Sequence, residues 1–175
     1  MKQPKFIVTT IRDYLNEQVN NTKDLITIYH GGGDNISNRR LIYYTTNYKY
    51  SKWFSKHNSY NNVGEIIEKK IKPSNFLDLT QYGYGKITMY KFNDILSGAN
   101  INTPQFIIDN INTGFGNFRC HIWEFFVEPD DNSDTFYIFW NDIITKYSGV
   151  NFLERNSEAP HLGTSNTFVI DSKRT

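Results

Sequence analysis

Twenty-eight side chains of this chain are rings (13 Phe, 12 Tyr and 3 Trp), whereas Ala occurs only twice and Met only twice. A chain so poor in small and flexible apolar residues has to fill its interior with aromatics, each removing about 150–250 Å² from water. Its mean hydropathy is -0.57, so the aromatic share of 16% is high for so polar a sequence, and any single Phe or Tyr reads first as core. At 175 residues the chain fits one domain and can bury a full core without covalent staples. Cys120 is the sole cysteine, which excludes a disulfide framework and a Cys-based zinc site. Nineteen Lys and Arg against 18 Asp and Glu leave a formal charge of +1, which argues against a nucleic-acid or membrane-surface binder working by bulk charge. The 21 Asn and 20 Ile favour AT-rich codons and report genome composition more than chemistry. No apolar run approaches a membrane span, and the N-terminus lacks the basic-then-apolar pattern of a secretory signal, so the expected compartment is a reducing cytosol.

The apolar spacing predicts one α+β domain. Residues 5–20 read as a helix, or a strand leading into one. LITIYH (25–30) alternates as a strand that runs into Gly31-Gly32-Gly33, and RLIYYT (40–45) is a second strand. Thr46 is the expected N-cap of a helix from Asn47 to about Lys56, with Tyr50, Trp53 and Phe54 on its inward face. VGEIIEKKI (63–71) is a third strand, and 76–79 a short extended piece. TPQFIIDNIN (103–112) reads as a helix capped by Thr103, RCHIWEFFV (119–127) as a helix or a strand, 130–134 as an acidic turn and 136–146 as an amphipathic helix. A strand at 150–153, a polar loop at 154–164 and a last strand at 167–170 complete the reading. Neither a repeat nor a linker is evident.

Several motif readings fall away. Gly83-Tyr84-Gly85 and Gly114-Phe115-Gly116 each lack the third glycine of a dinucleotide fingerprint and follow no clear strand. His30-Gly31-Gly32-Gly33 has the composition of a lipase oxyanion loop, but the chain has no G-x-S-x-G. The four histidines lack metal-ligand spacing, so no metal is expected. What remains is a strand ending in Tyr29-His30-Gly31, a second carrying Tyr43-Tyr44-Thr45, and a helix bearing Ser51 and Phe54. Side by side, their ends would offer an imidazole, open glycine backbone, a hydroxyl and two aromatic faces, a set suited to a planar amide-bearing ring. Taken singly, His30 reads equally as a strand-end histidine, and Tyr43 and Phe54 as core.

In that order these motifs resemble the ADP-ribosyltransferase fold of the diphtheria-toxin and poly(ADP-ribose)-polymerase type, especially its small bacterial and phage members. LITIYHGG resembles the strand-borne His-Gly, and LIYYTTNYKYSKWFS the tyrosine strand with its following helix. VGEIIEKKIKPSNFLDLT resembles the next strand, and KYSGV with TSNTFVIDSKR the C-terminal ending. The likeness spans about 25–79 and 145–172; residues 80–140 match nothing in the family and read as a variable helical insertion. The resemblance implies mostly antiparallel split sheets around an NAD cleft with flanking helices. It implies that His30 bonds a ribose of NAD, Gly31 the nicotinamide amide, Ser51 its oxygen, and that Tyr43 and Phe54 stack on the ring.

One departure weighs on the chemistry. Aligned on the family's late strand, Asn166 stands where the catalytic Glu belongs. A carboxylate there stabilises the positive charge that develops as the nicotinamide bond breaks, and Asn brings a hydrogen bond without charge. Glu154 and Glu158, in the expected polar loop, are the candidates to supply it. The reading therefore expects an NAD-dependent mono-ADP-ribosyltransferase, with Tyr43, Glu154 and Asn166 as its catalytic set. Its acceptor would be a macromolecule, a host protein before a nucleic acid, as for a phage effector or toxin acting on host defence in a bacterial cytosol. The rivals are an inactive binding or inhibitor module of the same fold, an NAD glycohydrolase and an interaction protein without an NAD site.

Overall fold

The computed structural model describes residues 24–32, 39–57, 64–129, 134–155 and 159–174. The expected first element at 5–20 and Glu158 lie outside these residues, as does most of the expected turn at 130–134. The described chain is α+β. Strands β1 (Ile26–Gly31), β2 (Leu41–Thr45), β3 (Ile66–Ile71), β4 (Leu77–Asp78), β7 (Val150–Arg155) and β8 (Thr164–Asp171) form one mixed sheet, and β5 (Lys86–Thr88) pairs with β6 (Arg119–His121) in a separate ribbon. Helices α1 (Tyr48–His57), α2 (Met89–Gly98), α3 (Gln105–Asn110) and α4 (Asp134–Lys146) complete the frame. The large sheet runs β3-β1-β2-β8-β7-β4, antiparallel throughout except for the parallel β4–β7 pair.

The register explains the core. Tyr43 faces Val169 across β2–β8, and Val150 faces Val169 across β8–β7. With a side-chain period of two, Leu41, Val169, Val150 and Phe152 therefore share one face, where they join Phe92, Leu96, Ile107, Phe126, Phe139 and Trp140 in the larger cluster. Ile42, Tyr44, Phe168 and Ile170 take the other face, with Ile28, Ile71 and Phe76. Ring contacts run through both clusters: Phe92 stacks on Phe125 at 3.9 Å and 9°, and Phe76 meets Phe168 edge-on at 5.1 Å. Residues 80–140, expected as an insertion, supply much of the larger cluster.

Several expected boundaries shift for identifiable reasons. Asn47, not Thr46, caps α1, its Oδ1 accepting from the N–H groups of Lys49 (3.0 Å) and Tyr50 (3.3 Å). The buried stripe of α1 is Tyr50, Ser51 and Ser55, while Trp53 stacks on His57 at 4.1 Å. Thr103 spends its hydroxyl on Asn93 Oδ1 (2.5 Å), and α3 begins two residues later behind Pro104. RCHIWEFFV splits into a three-residue strand and a 3-10 turn, Ile122–Phe126, because Glu124 reaches back to the His121 N–H (3.1 Å) and closes a capping box. The expected polar loop is shorter at both ends: β7 continues to Arg155, and β8 starts at Thr164. Glu154 is thus a strand residue, paired with Ser165.

Candidate functional site

Strands β1 and β2 are joined through a single residue couple, Tyr29↔Thr45. Beyond it the ladder would set Gly31 against Tyr43, but the strands part there. His30 bridges the gap, its Nδ1–H donating to the Tyr43 carbonyl at 2.6 Å. The parting opens a cavity of about 210 Å³ lined by His30, Gly31, Tyr43, Ser51, Phe54 and Glu154, with Tyr29, Arg39, Tyr44, Thr45, Tyr50 and Thr167 around them. That volume is below the roughly 300–1,000 Å³ that encloses a drug-sized ligand, so it suits one ring with the remainder of a larger molecule outside.

Each wall has a local cause. Gly31 lets α1 come close: a Cβ at this position would lie 1.8 Å from the Ser51 carbonyl oxygen. Ser51 is buried, and among the described residues its Oγ has no hydrogen-bond partner, nor has the buried Nε2 of His30. Unpaired buried polar atoms are costly, and both of these belong to residues that line the cavity. Tyr43 anchors through its hydroxyl, which donates to the Phe126 carbonyl at 2.5 Å. Glu128 holds the start of the same strand, accepting from the N–H groups of Arg40 (3.2 Å) and Leu41 (3.3 Å). Burial, then the Glu154 and Glu128 charges, raises the Tyr43 phenol pKa far above its usual range, so it stays protonated. Burial also lowers the His30 pKa, helped by Arg39 and opposed by the bond to Tyr43, which favours a neutral imidazole.

Of the sequence-predicted residues, the fold brings His30, Gly31, Tyr43, Ser51, Phe54 and Glu154 to this one cavity, and leaves Asn166 out of its lining. Asn166 pairs with Leu153, on the sheet face opposite to Glu154 and Ser165. The late-strand residue that does reach the cavity is Thr167, whose Oγ1–H donates to Glu154 Oε2 at 2.9 Å. Burial raises the Glu154 pKa, and the Thr167 bond opposes the rise. A carboxylate therefore stands beside the late strand, carried by its neighbour β7. Sequence reasoning missed Thr167 and Arg39. Thr167 was legible in principle from the alternation Ser165, Thr167, Val169 once the strand is known to start at Thr164, whereas nothing local marks Arg39. Among the described residues no group of three or more His, Cys, Asp or Glu side chains is placed to hold a metal, and no helix is long and apolar enough to cross a membrane. No family model, curated protein or solved structure matches this chain.

Proposed function

We propose that this chain is an NAD-dependent mono-ADP-ribosyltransferase whose cavity takes the nicotinamide ring. One observation carries the reading: a half-buried carboxylate, Glu154, shares a ring-sized cavity with Tyr43, Phe54 and polar atoms of His30 and Ser51 that have no partner among the described residues. The rings supply stacking faces, Ser51 Oγ and the Gly31 backbone suit the carboxamide, and His30 Nε2 suits a ribose hydroxyl. Glu154 stabilises the positive charge that grows on the ribose as the bond to nicotinamide breaks and nicotinamide leaves with the bonding electrons. Thr167 fixes one carboxylate oxygen and leaves the other for the substrate. In this assignment Glu154 takes the role that the alignment gave to position 166. The acceptor is a macromolecule that attacks from outside the cavity; a bacterial host protein, as for a phage-encoded effector, is the acceptor class the family resemblance suggests.

The test is incubation of wild type, Tyr43→Ala and Glu154→Gln with labelled NAD and bacterial cell extract. Nicotinamide release with label on a macromolecule, lost in both variants, is the expected result. Free ADP-ribose with no labelled acceptor would make the protein a glycohydrolase. A rise in Tm with NAD but no nicotinamide release would make it a binding module.

A further inference from the structure

The β5–β6 ribbon turns one face to the core and the other to solvent. Its register is Lys86↔His121, Ile87↔Cys120 and Thr88↔Arg119. Cys120 and Ile87 pack with the larger cluster, so Lys86, His121 and Arg119 lie on the outer face. Two rings stand beside them, Tyr84 at 46% and Trp123 at 40% exposure. Both are held in place. His121 lies parallel to Trp123 (16°, 6.4 Å between centroids) and donates from Nδ1 to the Tyr84 carbonyl at 3.0 Å. Arg119 Nη2 donates to the Lys86 carbonyl at 2.9 Å, and the Arg155 guanidinium lies 5.8 Å from the Tyr84 ring centroid. Glu124 is the acid beside them, and its carboxylate already accepts from the His121 N–H.

Ordered, exposed rings set among cations match a ligand that carries flat apolar faces and regular negative charge on one strand. A duplex hides its base faces, and an acidic peptide would use the cations while leaving the rings idle. The near-zero net charge does not oppose this, because the phosphate contribution depends on the few cations at the contact. We propose that the outer face of the β5–β6 ribbon binds single-stranded nucleic acid, with bases stacked on Tyr84 and Trp123 and phosphates on Lys86, Arg119 and Arg155. Binding of the strand is independent of NAD.

Fluorescence anisotropy with a labelled oligo-dT strand, its RNA counterpart and a duplex of equal length, all without NAD, tests the proposal. The single strands bind and the duplex binds more weakly. Trp123→Ala and Tyr84→Ala each weaken binding by about 5- to 150-fold. Arg119→Ser lowers the slope of log affinity against log salt by about 0.7. Should a ring variant lose its unfolding transition, Lys86→Ser with Arg155→Ser, both exposed, takes its place and removes about 1.4 from that slope. Absence of binding at low salt, equal affinity for the duplex, or affinity unchanged in the variants would overturn it, as would oligonucleotides failing to bind while Trp123→Ala abolishes labelling of a protein acceptor. Failure of the NAD reading would leave these measurements untouched.

Discussion

At Glu154, the proposed catalysis and stability pull in opposite directions. The folded protein holds this proton to higher pH than the unfolded chain does, because burial disfavours the charge. Between the ordinary glutamate pKa and the raised folded one, the unfolded chain binds fewer protons, so stability falls as pH rises through that window. Glu154→Gln keeps an acceptor for Thr167 and removes the penalty. Its Tm should exceed that of wild type at pH 7 and converge with it below the ordinary carboxylate range, as scanning calorimetry at several pH values would show. Nicotinamide release should meanwhile fall by about 10²–10³-fold, the usual loss when a transition-state charge partner is removed. Equal Tm values at pH 7 would mean that the carboxylate is not desolvated. Tyr43 separates ring from hydroxyl in the same way. Tyr43→Phe keeps the stacking face but leaves the Phe126 carbonyl unpaired. It should cost about 1–3 kcal/mol in denaturant titration and retain most of the nicotinamide release, whereas Tyr43→Ala should lose both.

Elements are tied together at Asp171, at the end of β8. Its carboxylate is buried and accepts from Arg40 Nε (2.9 Å), Trp140 Nε1 (3.1 Å) and the Lys173 N–H (2.9 Å), joining β2, β8 and α4. Asp171→Ala strands the Arg40 charge and the Trp140 N–H, and should destabilise by about 3–5 kcal/mol. The lower end is expected, since the Arg40 side chain keeps 18% exposure. A urea titration with a loss under 1 kcal/mol, the size of a surface ion pair, would refute the clamp. This contact also marks where sequence reading stopped. Alternation made β1 and β3 legible, and helical spacing did the same for α4. The Asp171–Arg40 tie links residues more than a hundred positions apart and leaves no local trace. Residues 80–140 read as an insertion because they match nothing in the family that the other motifs resemble, and only packing shows Phe92, Phe125 and Phe126 in the larger cluster. The Asn166 alignment failed to reach the cavity because a one-residue slip in a strand reverses its face.

Across the whole molecule, burial is uneven in a way that predicts how it opens. β8 is buried continuously from Thr167 to Asp171 and lies between β2 and β7, whereas β3 is an edge strand with three of its six residues exposed. Among the described residues, β1 and β3 hold to the rest of the sheet through the one ladder couple Tyr29↔Thr45, the His30–Tyr43 hydrogen bond, the packing of Ile28 and Ile71 against Ile42, Tyr44 and Phe168, and the docking of α1 on Gly31. Local openings draw on such weakly packed units first. In native-state hydrogen exchange, the amides of β2, β7 and β8 should exchange only by global unfolding, with a denaturant slope equal to the equilibrium m-value. Those of β3 and α1 should open through smaller, less denaturant-sensitive fluctuations. NAD bound between β1, β2 and α1 would have to be released before that unit opens. At about 100 times its Kd it should therefore raise protection there by about 2.7 kcal/mol, and the global class by the same amount. Gly31→Ala should abolish the coupling, because the new Cβ cannot fit beside the Ser51 carbonyl and α1 must retreat from the cavity. If β3 and α1 were as protected as β8 without NAD, the cavity would be a rigid part of one core, and α1 could not be the element that yields to admit the dinucleotide.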